Sequence, residues 1–176
     1  MFCSLFKPFG VLISAVGLVG LSVGQGIGQG QNSQDDNVVY REASDPKVAA
    51  ATQAAHNTLD RFLIAARAEN AAWEGSGLKI ALEKEGVIEH IWVYDFTSSD
   101  GVSFDGHLAN QPVHLPELNI HDEVEFNRGQ IEDWSFIQDA KGYGLYSVRI
   151  FLDSMEPSEA AQMRAFLSPT PEPEEW

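Results

Sequence analysis

The chain has 176 residues, of which 44% are hydrophobic and 21% charged, a composition that fits one soluble globular domain with an additional segment. Its formal net charge is −15, because 26 Asp and Glu residues outnumber 11 Lys and Arg residues. Such a charge repels phosphate backbones and anionic lipid surfaces, so we expect no nucleic-acid partner. A basic protein partner, or a charge that serves only solubility, fits better.

The first 24 residues have the three parts of a secretory signal peptide. Lys7 supplies the positive charge, residues 11–23 form an apolar centre, and the small residues Ser22 and Gly24 offer a cleavage site. We therefore predict a periplasmic or secreted protein with no stable membrane insertion after cleavage, and an uncleaved membrane anchor is the alternative. Residues 25–44 are rich in Gly, Gln and Asn and are predicted to form a flexible linker.

A single α+β domain is predicted over residues 45–168, and it begins with a long helix. Asp45 can cap this helix, and Pro46 suits its first position. Apolar residues recur at steps of three and four from Ala51 to Ala66, and the helix is expected over about 46–69. The small residues in its first half allow close approach to a sheet.

Alternating apolar residues then predict a strongly bent antiparallel sheet of about five or six strands, against which the long helix packs. A short helix is expected next, and the acidic, proline-rich tail 169–176 is predicted to extend into solvent. The predicted strands are 78–83, 87–97, 102–109, 123–126, 130–137 and 143–152, with hairpin turns at 98–101 and 127–129 and the short helix at 157–167.

The central strand 87–97 has two different faces, because successive side chains point in opposite directions. His90 lies on a face with aromatic residues. Glu89 lies on the other face among aliphatic side chains, where a lone carboxylate is costly and needs a partner. Arg149 is the natural counter-ion for Glu89 or Asp133, so the sequence predicts a structural ion pair.

Five sequence elements together resemble the YegJ-like family of bacterial domains over about residues 48–152. The elements are Lys79, Glu89-His90-x-Trp92-Val93, Phe104-x-Gly106-x-Leu108-x-Asn110-x-Pro112, Ile131-x-Asp133-Trp134 and the segment from Gly142 to Arg149. The resemblance implies an α+β domain and brings no assigned activity. The chain departs from the family pattern at His56 and His121, where an arginine and a glycine would be expected.

We favour a non-catalytic binding module of the bacterial cell envelope as the function. The acidic composition suits a basic partner, such as a toxin or another envelope protein. Aromatic side chains on one face of strand 87–97 would contact the ligand if the long helix covers the opposite face; otherwise they are part of the core. The ligand-binding candidates are His90, Trp92, Tyr94, Asn110 and Trp134.

Two catalytic or metal-binding hypotheses are the alternatives. A carboxylate-dependent envelope hydrolase would use Glu89 and Asp133 as paired acids with unequal pKa values. A metal site is disfavoured, because no two histidines stand on one element in a metal-binding pattern. We therefore predict no metal and no cofactor. The metal hypothesis would use His90, His107, His114 and His121 with Asp105 or Asp122.

Overall fold

The computed structural model describes residues 45–68 and 73–176. The predicted signal peptide and linker, residues 1–44, lie outside the described residues. In the described part, helices accompany one sheet of six antiparallel strands, which confirms the predicted α+β class. No helix in residues 45–68 or 73–176 is long and apolar enough to cross a membrane.

Helix α1 spans Pro46–Arg67, close to its predicted bounds. The Asp45 side chain caps it by accepting a hydrogen bond from the backbone nitrogen of Lys47 at 2.8 Å, and proline occupies the first turn. One apolar stripe of the helix is buried against the sheet. The stripe consists of Ala51, Ala55, Leu59, Phe62 and Leu63.

The six strands lie in the order β4-β3-β2-β1-β5-β6. Helix α1 packs against one side of this sheet, which we call the inner face, and we call the opposite side the outer face. The strands are β1 Gly75–Lys84, β2 Val87–Thr97, β3 Ser103–Leu108, β4 Glu123–Asn127, β5 Ile131–Gln138 and β6 Lys141–Gly144.

Strands β4 and β5 do not form the predicted hairpin. β4 pairs with β3, whereas β5 pairs with β1. A 3-10 turn at Arg128–Gln130 carries the chain between them, and the side chains of Asn127 and Gln130 cap this turn reciprocally. The local sequence identifies the turn, but it does not specify which strand the next segment joins.

The predicted strand 143–152 is wrong beyond Gly144. Gly144 and Leu145 have φ angles of 67° and 52°, and this left-handed backbone ends the extended path. Helix α2 follows at Tyr146–Arg149. Its first turn is held by Asp133, which accepts hydrogen bonds from backbone nitrogens there, a long-range contact that strand periodicity cannot reveal.

Helix α3, Pro157–Phe166, matches the predicted short helix. The segment after it returns to the sheet, so the prediction that the tail extends into solvent is wrong. The backbone nitrogen of Ser168 donates to the Gly142 carbonyl at 3.0 Å. The ring centroid of Trp176 lies 5.4 Å from that of Trp134, so aromatic packing holds the tail against the core.

Candidate functional site

The two faces of β2 have different neighbours. Helix α1 covers the inner face, where Ile91 and Val93 are fully buried. His90, Trp92 and Tyr94 therefore lie on the outer face, away from α1. Of the two arrangements that the sequence leaves open, the one in which the long helix covers the aliphatic face is present for these residues.

A second layer covers part of the outer face. Trp92 is only 7% exposed, because Leu145 and Leu167 pack against it. Its backbone nitrogen donates to the side-chain oxygen of Asn110 at 3.3 Å, so this asparagine stabilises the end of the strand. Trp92 and Asn110, both ligand-binding candidates, are engaged within the fold.

The aromatic row of β2 ends at Tyr94. The pairing with β3 shifts register between Tyr94 and Thr97, and Asp95 has a φ angle of 48°. This bulge turns Phe96 to the inner face, where its ring centroid lies 5.9 Å from that of Phe62. Strict alternation therefore assigns Phe96 to the wrong face.

Trp134 lies in the core beneath α1 and is 0% exposed. Its indole nitrogen donates to the Ala55 carbonyl at 3.2 Å and to the Thr58 hydroxyl at 3.0 Å. Its ring stacks on Phe62 with 4.9 Å between centroids. The structure therefore separates Trp134 from the ligand-binding candidates on the outer face.

The Glu89 carboxylate has partners from the backbone. One oxygen accepts a hydrogen bond from the backbone nitrogen of Val113 at 2.6 Å, and the other accepts from that of His114 at 2.9 Å. Glu89 is 5% exposed. The aliphatic surroundings of Glu89 imply that its carboxylate needs a hydrogen-bond or ionic partner. Two backbone amides of the loop between β3 and β4 are these partners.

The Asp133 carboxylate is buried on the outer face, with 1% exposure. It accepts hydrogen bonds from the backbone nitrogens of Trp134, Tyr146 and Ser147 and from the Ser147 hydroxyl. Burial raises the pKa of Asp133, and the hydrogen bonds from Ser147 and the charge of Lys79, which lies opposite in the register, act in the other direction.

Arg149 does not form the expected ion pair with Glu89 or Asp133. Its guanidinium donates to the carbonyls of Gly144 and Ser168, each at 2.9 Å. Desolvation by burial lowers the pKa of this guanidinium. Through these two hydrogen bonds, Arg149 holds the chain segment after α3 against the end of β6.

Glu89 and Asp133 face opposite sides of the sheet. Glu89 shares a face with Ile91, whereas Asp133 lies opposite Lys79, which in turn lies opposite Trp92 on the outer face. Two acids that cleave a glycosidic bond must flank that bond from within one cleft. The structure does not bring these two carboxylates together.

His90 contacts a residue that the sequence analysis missed. Its Nδ1 lies 2.7 Å from a carboxylate oxygen of Glu132, two strands away. Ala81 is opposite His90 on the intervening strand, and its small side chain leaves room for this contact. The register shift between Lys79 and Ile80 takes Glu132 out of strict alternation, so periodicity gives no signal for the pair.

Beyond Trp92, the outer face continues through Tyr94 onto β3 and β4. Tyr94 lies opposite His107, with 5.7 Å between ring centroids, and its hydroxyl lies 3.0 Å from Nδ1 of His121. Nδ1 of His107 is buried without a hydrogen-bond partner in the described residues. His121 has a φ angle of 75°, which accounts for the glycine that the family resemblance leads us to expect there.

Carboxylates border these rings on β3 and β4, the last two strands on this side of the sheet. Glu123 lies opposite His107, and Asp105 lies opposite Glu125, so two like charges face each other across β3 and β4. All three acids are exposed. We call this area, in which the three acids are exposed, the open face. It consists of Tyr94, Thr97, Asp105, His107, His121, Glu123 and Glu125.

The histidines are dispersed. Within residues 45–68 and 73–176, no three His, Cys, Asp or Glu side chains come close enough to hold a metal ion. The open face combines carboxylates with the rings of Tyr94, His107 and His121. The metal hypothesis had relied on His90, His107, His114 and His121.

Comparisons with known proteins agree on one bacterial family. A family model described as "Uncharacterized protein conserved in bacteria (DUF2314)" matches residues 45–167. The uncharacterized protein YegJ of Escherichia coli (strain K12) is 25% identical over 138 residues, which is 78% of this chain and 88% of that protein. No solved structure matches. The matched region contains both buried acids and the whole open face.

Proposed function

This chain belongs to the bacterial family DUF2314, and we propose that it is a non-catalytic module that binds a basic polypeptide segment through the open face. The proposal keeps the exported, envelope location that the sequence of residues 1–24 predicts. A toxin or another envelope protein with a basic segment has the required chemistry.

The hydrogen bonds of the two buried acids support a role without catalysis. Glu89 binds two backbone amides, and Asp133 binds the start of α2. Their oxygens serve the fold, and the side chains point to opposite faces. A hydrolase that uses Glu89 and Asp133 as a pair has no support from this geometry.

The single observation that carries the proposal is the pair Asp105 and Glu125. Like charges directly opposite each other on a sheet are destabilising, by roughly 0.2–1 kcal/mol. Glu123 adds a third negative charge on the same strand as Glu125. A Lys or Arg side chain from a partner would relieve this repulsion. Binding of such a side chain would therefore explain why two acids stand opposite each other at a cost in stability.

The rings beside these acids supply the second part of the surface. Tyr94 and His107 are half-buried and lie next to Glu123. An aromatic ring next to carboxylates suits the aliphatic stem and charged end of a basic side chain. Such a surface selects for Lys or Arg over acidic or purely apolar residues.

The position of β4 suggests how the partner would lie. β4 is the outermost strand on its side of the sheet. The backbone nitrogen of Leu108 donates to the Asp122 carbonyl at 3.0 Å, and antiparallel alternation then directs the backbone groups of Glu123 and Glu125 away from β3. A partner strand could pair there, with basic side chains at alternate positions next to the two acids.

Binding of a defined peptide tests the function. The probe is a short peptide with lysine at alternate positions and valine between them, titrated into the full chain by calorimetry at low and at physiological salt. We expect saturable binding that weakens with salt. The double variant Asp105→Asn/Glu125→Gln should bind several-fold more weakly.

The matched control is Glu159→Gln, which removes an exposed negative charge from α3, outside the open face. It should bind as the wild type does. A peptide with aspartate in place of lysine should not bind. Equal loss of binding in Glu159→Gln and the double variant would show non-specific attraction to net charge and would contradict a defined binding face.

A further inference from the structure

A small depression beside α3 concentrates positive charge on this acidic protein. Its volume is about 320 Å³. The chain has only 11 Lys and Arg residues, and three of them line this depression. No Asp or Glu is among the lining residues of the described part. The lining residues are Lys141, Arg149, Leu152, Arg164, Leu167, Ser168 and Pro169.

Arg149 is the innermost of these cations and has no carboxylate partner. It is half-buried, and its nitrogens donate to the carbonyls of Gly144 and Ser168 and to the Ser168 hydroxyl. Among the described residues, no ion pair includes it. The hydrogen bonds of this half-buried charge all go to neutral groups, and the charge of Asp133 compensates it only from outside hydrogen-bond contact.

The other two cations lie at the surface and can turn towards a ligand. Lys141 donates to the carbonyl of Ala165, and Arg164 pairs with Asp153 at 2.8 Å. Asp153 has a side chain that is 95% exposed, and such exposed pairs contribute little to stability. Both partners can be exchanged for water or for a ligand at small cost.

We infer that this depression binds a small oxyanion, a phosphate or carboxylate group, between Lys141, Arg149 and Arg164. Arg164 can bind such an oxyanion through paired hydrogen bonds, and Lys141 adds a mobile charge. Arg149 already donates to Gly142, Gly144 and Ser168, so it contributes mainly its charge. Leu152 and Leu167 line the depression beside the cations, so a short apolar portion next to the anionic group also fits. The site is separate from the open face, and this inference does not depend on the proposed function.

Several local negative charges oppose anion binding. The carboxyl-terminal end of α3 carries a partial negative charge of about half a unit. The Ala165 carbonyl at that end already accepts a hydrogen bond from Lys141. Asp153 also offsets Arg164 while the two are paired, and the charge of Asp133 acts on Arg149. Lys141 and Arg149 are in no ion pair of the described residues, so they leave positive charge in the depression that attracts an anion.

Thermal unfolding of the full chain in inorganic phosphate tests the inference, with sodium chloride at equal ionic strength as reference. We expect a saturable rise in melting temperature with phosphate. Lys141→Gln and Arg164→Gln, each at an exposed position, should weaken apparent phosphate affinity about tenfold. Lys47→Gln, an exposed charge change on α1, should leave it unchanged.

Acetate in a parallel titration separates the possible sources of the oxyanion. Stabilisation by phosphate alone supports a phosphoryl ligand, and stabilisation by both supports a general oxyanion site. In the wild type, the Arg149 Nε–H resonance should shift with the same apparent affinity. No saturable effect beyond chloride, or equal effects in all three variants, would overturn the inference.

Discussion

Ser147 donates two hydrogen bonds to one oxygen of Asp133, from its backbone nitrogen and from its hydroxyl, both at 2.7 Å. The other oxygen accepts from the backbone nitrogens of Trp134 and Tyr146. A single buried carboxylate thus joins β5 to the first turn of α2, where the chain leaves the sheet. We interpret Asp133 as a structural residue that stabilises the fold.

Asp133→Asn should strongly destabilise the fold. Asparagine has nearly the same size, but its amide nitrogen cannot accept the hydrogen bonds that reach one of the two oxygens. Leaving buried donors unpaired costs about 1–3 kcal/mol each, so a loss of roughly 2–5 kcal/mol is expected in urea unfolding. Ser147→Ala, which removes only the hydroxyl, should cost about 1 kcal/mol. Equal stability of wild type and Asp133→Asn would contradict this role.

The raised pKa of Asp133 predicts a pH dependence. Because the folded chain retains this proton to higher pH than the unfolded chain does, the unfolded chain binds fewer protons between the ordinary value of 3.8 and the raised pKa. The free energy of unfolding should therefore fall as pH rises through this window. Asp133→Asn should lack that component while keeping the slope due to surface carboxylates. Parallel pH profiles for the two proteins would refute the assignment.

The sequence predicts the fold class well where local signals suffice. Asp45 and Pro46 fix the start of α1, and alternation identifies β1 and β2. The partner of β5 could not be predicted, because the turn at Arg128–Gln130 has the same local chemistry whether the chain forms a hairpin or crosses to β1. The end of β6 depends on a left-handed Leu145, a conformation that leucine rarely adopts.

The candidate site was harder to predict than the fold. Alternation correctly places Glu89 and His90 on opposite faces of the sheet. It cannot show that the buried carboxylates are hydrogen-bonded to backbone amides and are not paired with Arg149. Every residue except proline has a backbone amide, so residue types do not reveal which amides act as donors. The pair His90 and Glu132 depends on a register shift, and the pair Asp105 and Glu125 depends on the pairing of two strands that lie about 20 positions apart in the chain.

Glu89→Gln should loosen the loop between β3 and β4. The side-chain oxygen of glutamine can accept from only one of the two backbone amides. The other backbone amide then faces the side-chain NH2 group, which is itself a donor. We expect a loss of about 1–3 kcal/mol in unfolding free energy. Hydrogen exchange should accelerate at the amides of Val113 and His114. Glu83→Gln, an exposed change on β1, should alter neither quantity, and unchanged exchange in Glu89→Gln would contradict the anchoring role.

Trp176→Ala should destabilise the protein even though Trp176 lies in an acidic, proline-rich tail. Its ring centroid lies 5.8 Å from that of Phe136 and 6.2 Å from that of Trp73, in addition to its contact with Trp134. Loss of this half-buried ring should cost roughly 1–3 kcal/mol in chemical unfolding. Glu175→Ala, at an exposed neighbour, serves as control. A tail that extends into solvent would give the same unfolding midpoint for all three proteins.

Asp105→Asn separates the binding role of the open face from an ordinary solvated edge. Removing one of two opposed carboxylates relieves repulsion with Glu125, so the variant should gain roughly 0.2–1 kcal/mol in unfolding free energy. The same change removes attraction for a lysine-bearing peptide, so its affinity should fall about two- to fivefold. Stability and affinity therefore move in opposite directions, whereas Glu159→Gln should leave affinity unchanged. If Asp105→Asn gains stability and binds the peptide as tightly as the wild type, the repulsion serves only to keep the outer strand unpaired, and the proposed binding face is refuted.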